Sequence, residues 1–290
     1  MNLAKESGTS RDIYDWDYVL WEVRLKLLAA GFFIYLGVFL LAHWLSSWIS
    51  ASYRTLSGME KAFWNTHMTR GLFAVQSCGA GLWALFIDPV FQADQVYSQQ
   101  KWSYFHCLIA AGYFLLDNVV LHVSNIVFGI FDVVTVLHHL FAFGGIFVVI
   151  ANITSGHYLI LVGLLLEMSS PSTCLSHVLL KTGYANTFLW KANQWILIHM
   201  FHCRMVLSYH LLWVCISNWN DVVDNMGLPY FIVFFMGLSI FTLRINPYWT
   251  YKTTEKFFLS NFDNGNSSNT AVKNKSSGKL NSETLQKKMI

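Results

Sequence analysis

The stretch DVVTVLHHLFAF, from Asp132 to Phe143, sets two imidazoles side by side in an otherwise apolar run. A neutral imidazole is a nucleophile or a general base, so His138 and His139 are the first residues to which chemistry can be assigned. Further polar groups stand in similar surroundings: Asp117 and Asn118 in one apolar run, Glu167 in LLLEMSSPSTC, and His199, His202 and Arg204 in NQWILIHMFHCRM. Arginine presents a planar fork of donors suited to phosphate. The expected catalytic residues are therefore His138 and His139, and the expected substrate-binding set is Asp117, His199, His202 and Arg204.

The apolar background identifies the solvent. Charged residues make up 12% of the chain, against about 25% in soluble domains. Seven runs approach the roughly twenty apolar residues that cross a bilayer: about 25–49, 71–87, 102–123, 133–150, 158–180, 195–217 and 229–245. The fold class expected is all-α, a polytopic transmembrane helix bundle of about seven spans, or six if a polar-interrupted run is re-entrant. The first run is too long for a cleaved leader and reads as an anchor. Basic residues set orientation. Arg54, Lys61, Arg70, Lys181, Lys191 and the Lys-rich tail collect on one side, expected cytosolic; Asp88, Asp94, Asp221 and Asp224, with Lys101, collect on the other. The N-terminus is then lumenal and the C-terminus cytosolic.

This topology places His138 and His139 about 10 Å inside the cytosolic face. Asp117, Asn118, Gln76, His199, His202 and Arg204 are expected near the same layer, with Glu167 deeper. Intramembrane polar groups that gather at one depth point to a shared cavity, although a set of interhelical hydrogen bonds is the alternative reading. Adjacent helical residues project about 100° apart, so one histidine is expected to act and the other to support it; His139 is the expected direct participant. Asp132 reads as a helix N-cap. One adjacent pair and one i, i+3 pair of histidines fall short of a metal ligand set, so no metal is expected. Nor is a disulfide framework, because all five cysteines lie in apolar runs. The sequons at Asn152, Asn266 and Asn274 are expected to carry no glycan. Nucleic acid is not an expected partner.

LHHLFAF, then LLLEMSSPSTC, then NQWILIHMFHCRM resemble, in that order, the TLC-domain family, which includes ceramide synthases and translocating-chain-associated membrane protein. The resemblance covers about residues 60–256, the last six spans. It implies an acyl-CoA-dependent acyltransferase with acyl-CoA as co-substrate, no bound cofactor and membrane lipids as partners. The aspartate pair that follows the histidines in ceramide synthases is absent here; Glu167 stands near the first position, and by that resemblance it is the expected third catalytic residue. That departure and the cationic Arg204 favour a glycerophospholipid-type acceptor over a sphingoid amine. Some family members regulate lipids without a settled reaction, and one branch is linked to lysosomal storage disease and to export of lysosomal enzymes from the endoplasmic reticulum. A non-catalytic lipid regulator and a receptor for lysosomal enzyme cargo, cycling between endoplasmic reticulum and Golgi, are the rival expectations.

Residues 1–24 are expected to be a lumenal segment, 25–49 an anchor, 60–256 the TLC domain and 257–290 a disordered cytosolic tail; the tail is polar and lysine-dotted and cannot bury a core. It ends in KKMI. Lys287 and Lys288 stand where a dilysine retrieval signal presents its two ammonium groups to Golgi-vesicle coat proteins, which implies residence in the endoplasmic reticulum and the intermediate compartment. Replacing both lysines by Ala should shift the steady-state distribution away from the endoplasmic reticulum in microscopy of tagged cells; an unchanged distribution excludes the signal.

Overall fold

The computed structural model describes residues 16–131, 133–151, 156–185, 187–255 and 257, apart from the side chains of residues 149, 225 and 229. Asp132, Asn152 and the two tail lysines lie outside them. Every regular element among the described residues is helical. The chain divides into a unit ending at Thr250 and a second unit from Tyr251. In the second unit, helix continues through Glu255, whose carboxylate accepts from the Tyr251 hydroxyl at 3.0 Å.

The first unit is a bundle of long rods. They are α1 (Trp21–Ile49), α3 (Gly58–Leu82, extended by a π turn Trp83–Ile87), α5 (Lys101–Phe128), α6 (Val133–Ala151), α7 (His157–Leu164) running through a 3-10 turn Leu165–Ser169 into α8 (Ser170–Lys181), α9 (Phe188–Ser217) and α11 (Leu228–Ile240, extended by a π turn Phe241–Ile245). Short helices α2 (Ala51–Arg54), α4 (Pro89–Ala93) and α10 (Trp219–Met226) join them. Five of the rods are long and apolar enough to cross a membrane; α6 is apolar but shorter, and α9 is long but more polar.

Helix starts follow capping chemistry. The Ser57 hydroxyl accepts from the Glu60 amide at 3.3 Å while the Glu60 carboxylate accepts from the Ser57 amide at 2.9 Å, a reciprocal box that satisfies two end donors. It starts α3 at Gly58 rather than near Gly71, which corrects the expected second run and draws Arg70 from a loop into the helix. The other Glu60 oxygen lies 2.7 Å from Lys181 Nζ and ties the start of α3 to the end of α8. At the opposite end of the bundle, Arg24, 1% exposed, donates to the Tyr18 and Ile150 carbonyls at 2.6 and 2.7 Å. A cation at the end of α6 complements that helix's negative pole.

The closest crossing is α1 on α5. A Cβ on Gly31 would collide with the Ile109 carbonyl, and one on Gly112 with the Leu28 carbonyl. Small residues allow such backbone approach between membrane helices, where dispersion rather than water exclusion drives packing. Asn193 binds α9 to α8, donating to the Ser172 carbonyl and to Ser176 Oγ, both at 2.8 Å. Gly112→Ala should lower stability by about 1–3 kcal/mol, read as a reduced unfolding temperature in detergent. Gly37→Ala, on α1 with open space around it, should leave that temperature unchanged; equal effects would refute the close crossing.

Candidate functional site

Asp117 on α5 is the hub of a three-helix polar cluster. It is 4% exposed, and Arg70 on α3 reaches it with two donors, Nε to Oδ1 at 2.9 Å and Nη2 to Oδ2 at 3.2 Å. A paired fork of this kind is the strong form of a buried ion pair. His139 on α6 stands between the two charges: its Nδ1 is 2.6 Å from Asp117 Oδ2, and its Nε2 accepts from Arg70 Nη2 at 3.1 Å. The Nδ1 approach lies off the line of a good hydrogen bond and is a close charge–dipole contact. Both ring nitrogens of His139 therefore face charged neighbours, an arrangement that suits the Nδ1–H tautomer. Asn118 secures the same helix, donating to the His139 carbonyl at 3.1 Å and to the Phe114 carbonyl at 2.8 Å.

His138 turns the other way. Its ring stacks on Phe241 at 5.0 Å and meets Trp249 edge-on at 5.0 Å, while Nε2 lies 4.0 Å from Glu167 Oε1. Its Nδ1 is buried without a hydrogen-bond partner. The two rings diverge, their centroids 4.9 Å apart yet serving different neighbours, and it is His139, the expected direct participant, whose two nitrogens are held by Asp117 and Arg70. Glu167 lies on the 3-10 turn and accepts from the Ser170 hydroxyl at 2.8 Å. Expected deeper than the histidines, it nevertheless brings Oε1 within 4.0 Å of His138 Nε2.

Arg204 on α9 shares the two rings that flank His138. Its guanidinium carbon is 5.8 Å from the Phe241 ring, 5.7 Å from Trp249 and 5.2 Å from Phe201. Nη1 donates to Ser169 Oγ at 2.6 Å; Nε and Nη2 are buried with no partner. Among the described residues no carboxylate lies in ion-pair contact with it; Asp117 pairs with Arg70 instead, and Glu167 lies near His138. Cation–π contacts carry part of the stabilisation that a counter-ion would supply, and two donors remain unused.

Other expected members do not join. His199 is exposed, set edge-on to Trp195 at 4.8 Å, and His202 is exposed with Nδ1 2.8 Å from the Ile198 carbonyl; both lie on the outer face of α9, about a third to two-thirds of a turn from Arg204. Gln76 is bonded to the Tyr35 hydroxyl and lies 3.4 Å from His106. That places it toward the other end, about 9 Å along α3 from Arg70. Sequence reasoning missed Arg70 by counting it with the loop cations. The signal was present: Ser57 and Glu60 at capping-box spacing put the helix N-cap thirteen residues before Arg70.

Removing Arg70 alone strands a buried carboxylate, at a cost of about 3–5 kcal/mol. Arg70→Leu should therefore unfold at markedly lower temperature than wild type. Arg70→Leu with Asp117→Leu should recover most of the loss, because an apolar pair substitutes for a buried ion pair. Additive losses in thermal unfolding would contradict the pairing.

Comparison with known proteins follows this geometry. The TLC domain family matches residues 63–255. The chain is 51% identical to Protein CLN8 of Homo sapiens, over 88% of this chain and 90% of that protein. It is 50% identical to Protein CLN8 of Canis lupus familiaris and 49% identical to that of Mus musculus, in each case over 88% of this chain and 89% of the relative. No solved structure matches. With the matched segment spanning α3 to α11 and containing every member of the polar cluster, the chain belongs to the TLC domain family and is a multi-pass membrane protein.

Proposed function

We propose that this chain is an acyltransferase of the endoplasmic reticulum membrane that moves an acyl chain from acyl-CoA to a hydroxyl of a glycerophospholipid-type acceptor. The observation that carries the reading is the pairing, across Phe241 and Trp249, of a buried imidazole with a free nitrogen and a buried guanidinium with two free donors. In this reading Arg204 holds the acceptor phosphate. Two free N–H groups, Nε and Nη2, suit two phosphate oxygens.

His138 is the general base. Both nitrogens of His139 face Asp117 and Arg70, so its lone pair is engaged; that of His138 is not. The Nδ1 of His138 takes the acceptor hydroxyl proton as the oxygen attacks the thioester carbonyl. The new C–O bond forms, the C–S bond breaks, and the departing thiolate recovers the proton from the imidazolium. Glu167, 4.0 Å from Nε2, stabilises the imidazolium while it exists. Asp117, Arg70 and His139 do not touch the lipids; they hold α6 so that His138 keeps its place. Arginine also explains the acceptor preference, since a cationic sphingoid amine gains nothing beside a guanidinium.

The test is transfer by purified protein given labelled acyl-CoA with lysophospholipids and sphingoid bases. His138→Gln should lower kcat by about 10²–10⁴-fold with acceptor affinity retained. Arg204→Gln should raise KM for the lysophospholipid more than KM for acyl-CoA. A wild type that forms no product, or a His138→Gln variant that matches it, makes the chain a non-catalytic lipid-binding protein.

A further inference from the structure

Asn246 is fully buried, and both atoms of its side-chain amide lack a hydrogen-bond partner. An amide placed so is destabilising unless something uses it. Its location follows from register. The rod containing α11 runs antiparallel to α9: Thr242 Oγ1 donates to the Ser208 carbonyl at 3.4 Å, and Thr250 Oγ1, which donates to the Asn246 carbonyl at 2.8 Å, lies 3.5 Å from the Phe201 carbonyl. Asn246 is midway between the two threonines, and Arg204 is midway between Phe201 and Ser208 on the facing helix. Phe241 and Trp249, one on each side of Asn246 along the rod, both touch Arg204 and His138.

Local backbone bears on how an asparagine comes to lie at this register. Residue 247 is proline, which lacks an N–H and crowds the carbonyl four residues earlier. The π turn Phe241–Ile245 absorbs that defect directly before Asn246. Such bulges recur at functional sites because they re-aim the side chains that follow.

We propose that Asn246 is a headgroup-recognition residue, whose amide joins the Arg204 guanidinium in a clamp for a phosphodiester that also carries a hydroxyl. Arg204 offers donors alone, which a phosphate satisfies. Asn246 offers a donor and an acceptor, and its Oδ1 needs a proton-bearing partner that phosphate oxygens do not provide. A headgroup hydroxyl donates to Oδ1 and accepts from Nδ2 at once. This deepens the proposed reading of Arg204 as the phosphate fork and rests on it.

The experiment is equilibrium binding of labelled lysophosphatidylinositol and lysophosphatidic acid to the full chain in detergent, without acyl-CoA, alongside thermal unfolding. Wild type should bind the inositol lipid more tightly, since both lipids carry the glycerol hydroxyl but only this one has hydroxyls on its headgroup. Asn246→Leu, which removes both hydrogen bonds to the headgroup hydroxyl, should weaken that lipid about tenfold or more, leave lysophosphatidic acid within about threefold, and unfold no earlier than wild type. Asn246→Asp, equal in size, should fold and lose both lipids because its carboxylate occupies Arg204. The proposal is overturned if wild type shows no preference, if either variant binds as wild type does, or if Asn246→Leu loses both lipids together with its thermal stability, the behaviour of a structural amide. Because acyl-CoA is absent, the binding result stands apart from transfer: a wild type that binds in this way but forms no product in the transfer assay sinks the catalytic reading and leaves the clamp standing.

Discussion

A carboxylate inside an apolar bundle must be paired or neutralised, and Asp117 is the group on which that requirement falls. Its partners, Arg70 and His139, come from two other helices. Satisfying one charge therefore fixes the mutual placement of α3, α5 and α6. The same constraint uses up His139. Two adjacent residues on a helix cannot face one direction, so the ion pair that captures one imidazole presents the other to a different neighbourhood. His138 meets rings from the last rod, and the catalytic proposal inherits its geometry from a pairing that takes no part in the reaction.

Arg204 is the counterpoint. Asp117 has its cation and Arg70 its anion, while Arg204 has a hydroxyl and three aromatic faces. Aromatic quadrupoles stabilise a cation without saturating its N–H groups. A guanidinium held this way keeps both its charge and its donors available, as an anion-binding group requires. The 3-10 turn at Leu165–Ser169 serves the same neighbourhood by presenting Glu167 toward His138 and Ser169 toward Arg204.

Much of this was legible in the sequence. Scarce charge and long apolar runs give a helical membrane bundle, and the 100° step between neighbours separates His138 from His139. Asp117, Glu167 and Arg204 stand out as polar residues in oil. What failed did so for identifiable reasons. Depth counted along a helix says nothing of which face a residue occupies, so His199 and His202 were placed with Arg204 although they point outward. Gln76 was assigned by depth from a run whose start was set too late, and the same error hid Arg70. Asn246 could not be found from composition at all: its significance lies in two atoms left unpaired by packing. Gly31 and Gly112 were silent for a similar reason, since only the crossing of α1 and α5 makes their missing side chains necessary.

The most direct measurement is an electron cryomicroscopy structure of the full chain with a non-hydrolysable acyl-CoA analogue and a lysophospholipid. The account predicts phosphate density within hydrogen-bond distance of Arg204 Nε or Nη2, with the acceptor hydroxyl at His138 Nδ1 and His139 still held between Asp117 and Arg70. Lipid bound elsewhere, with Arg204 closed onto Glu167, would contradict it.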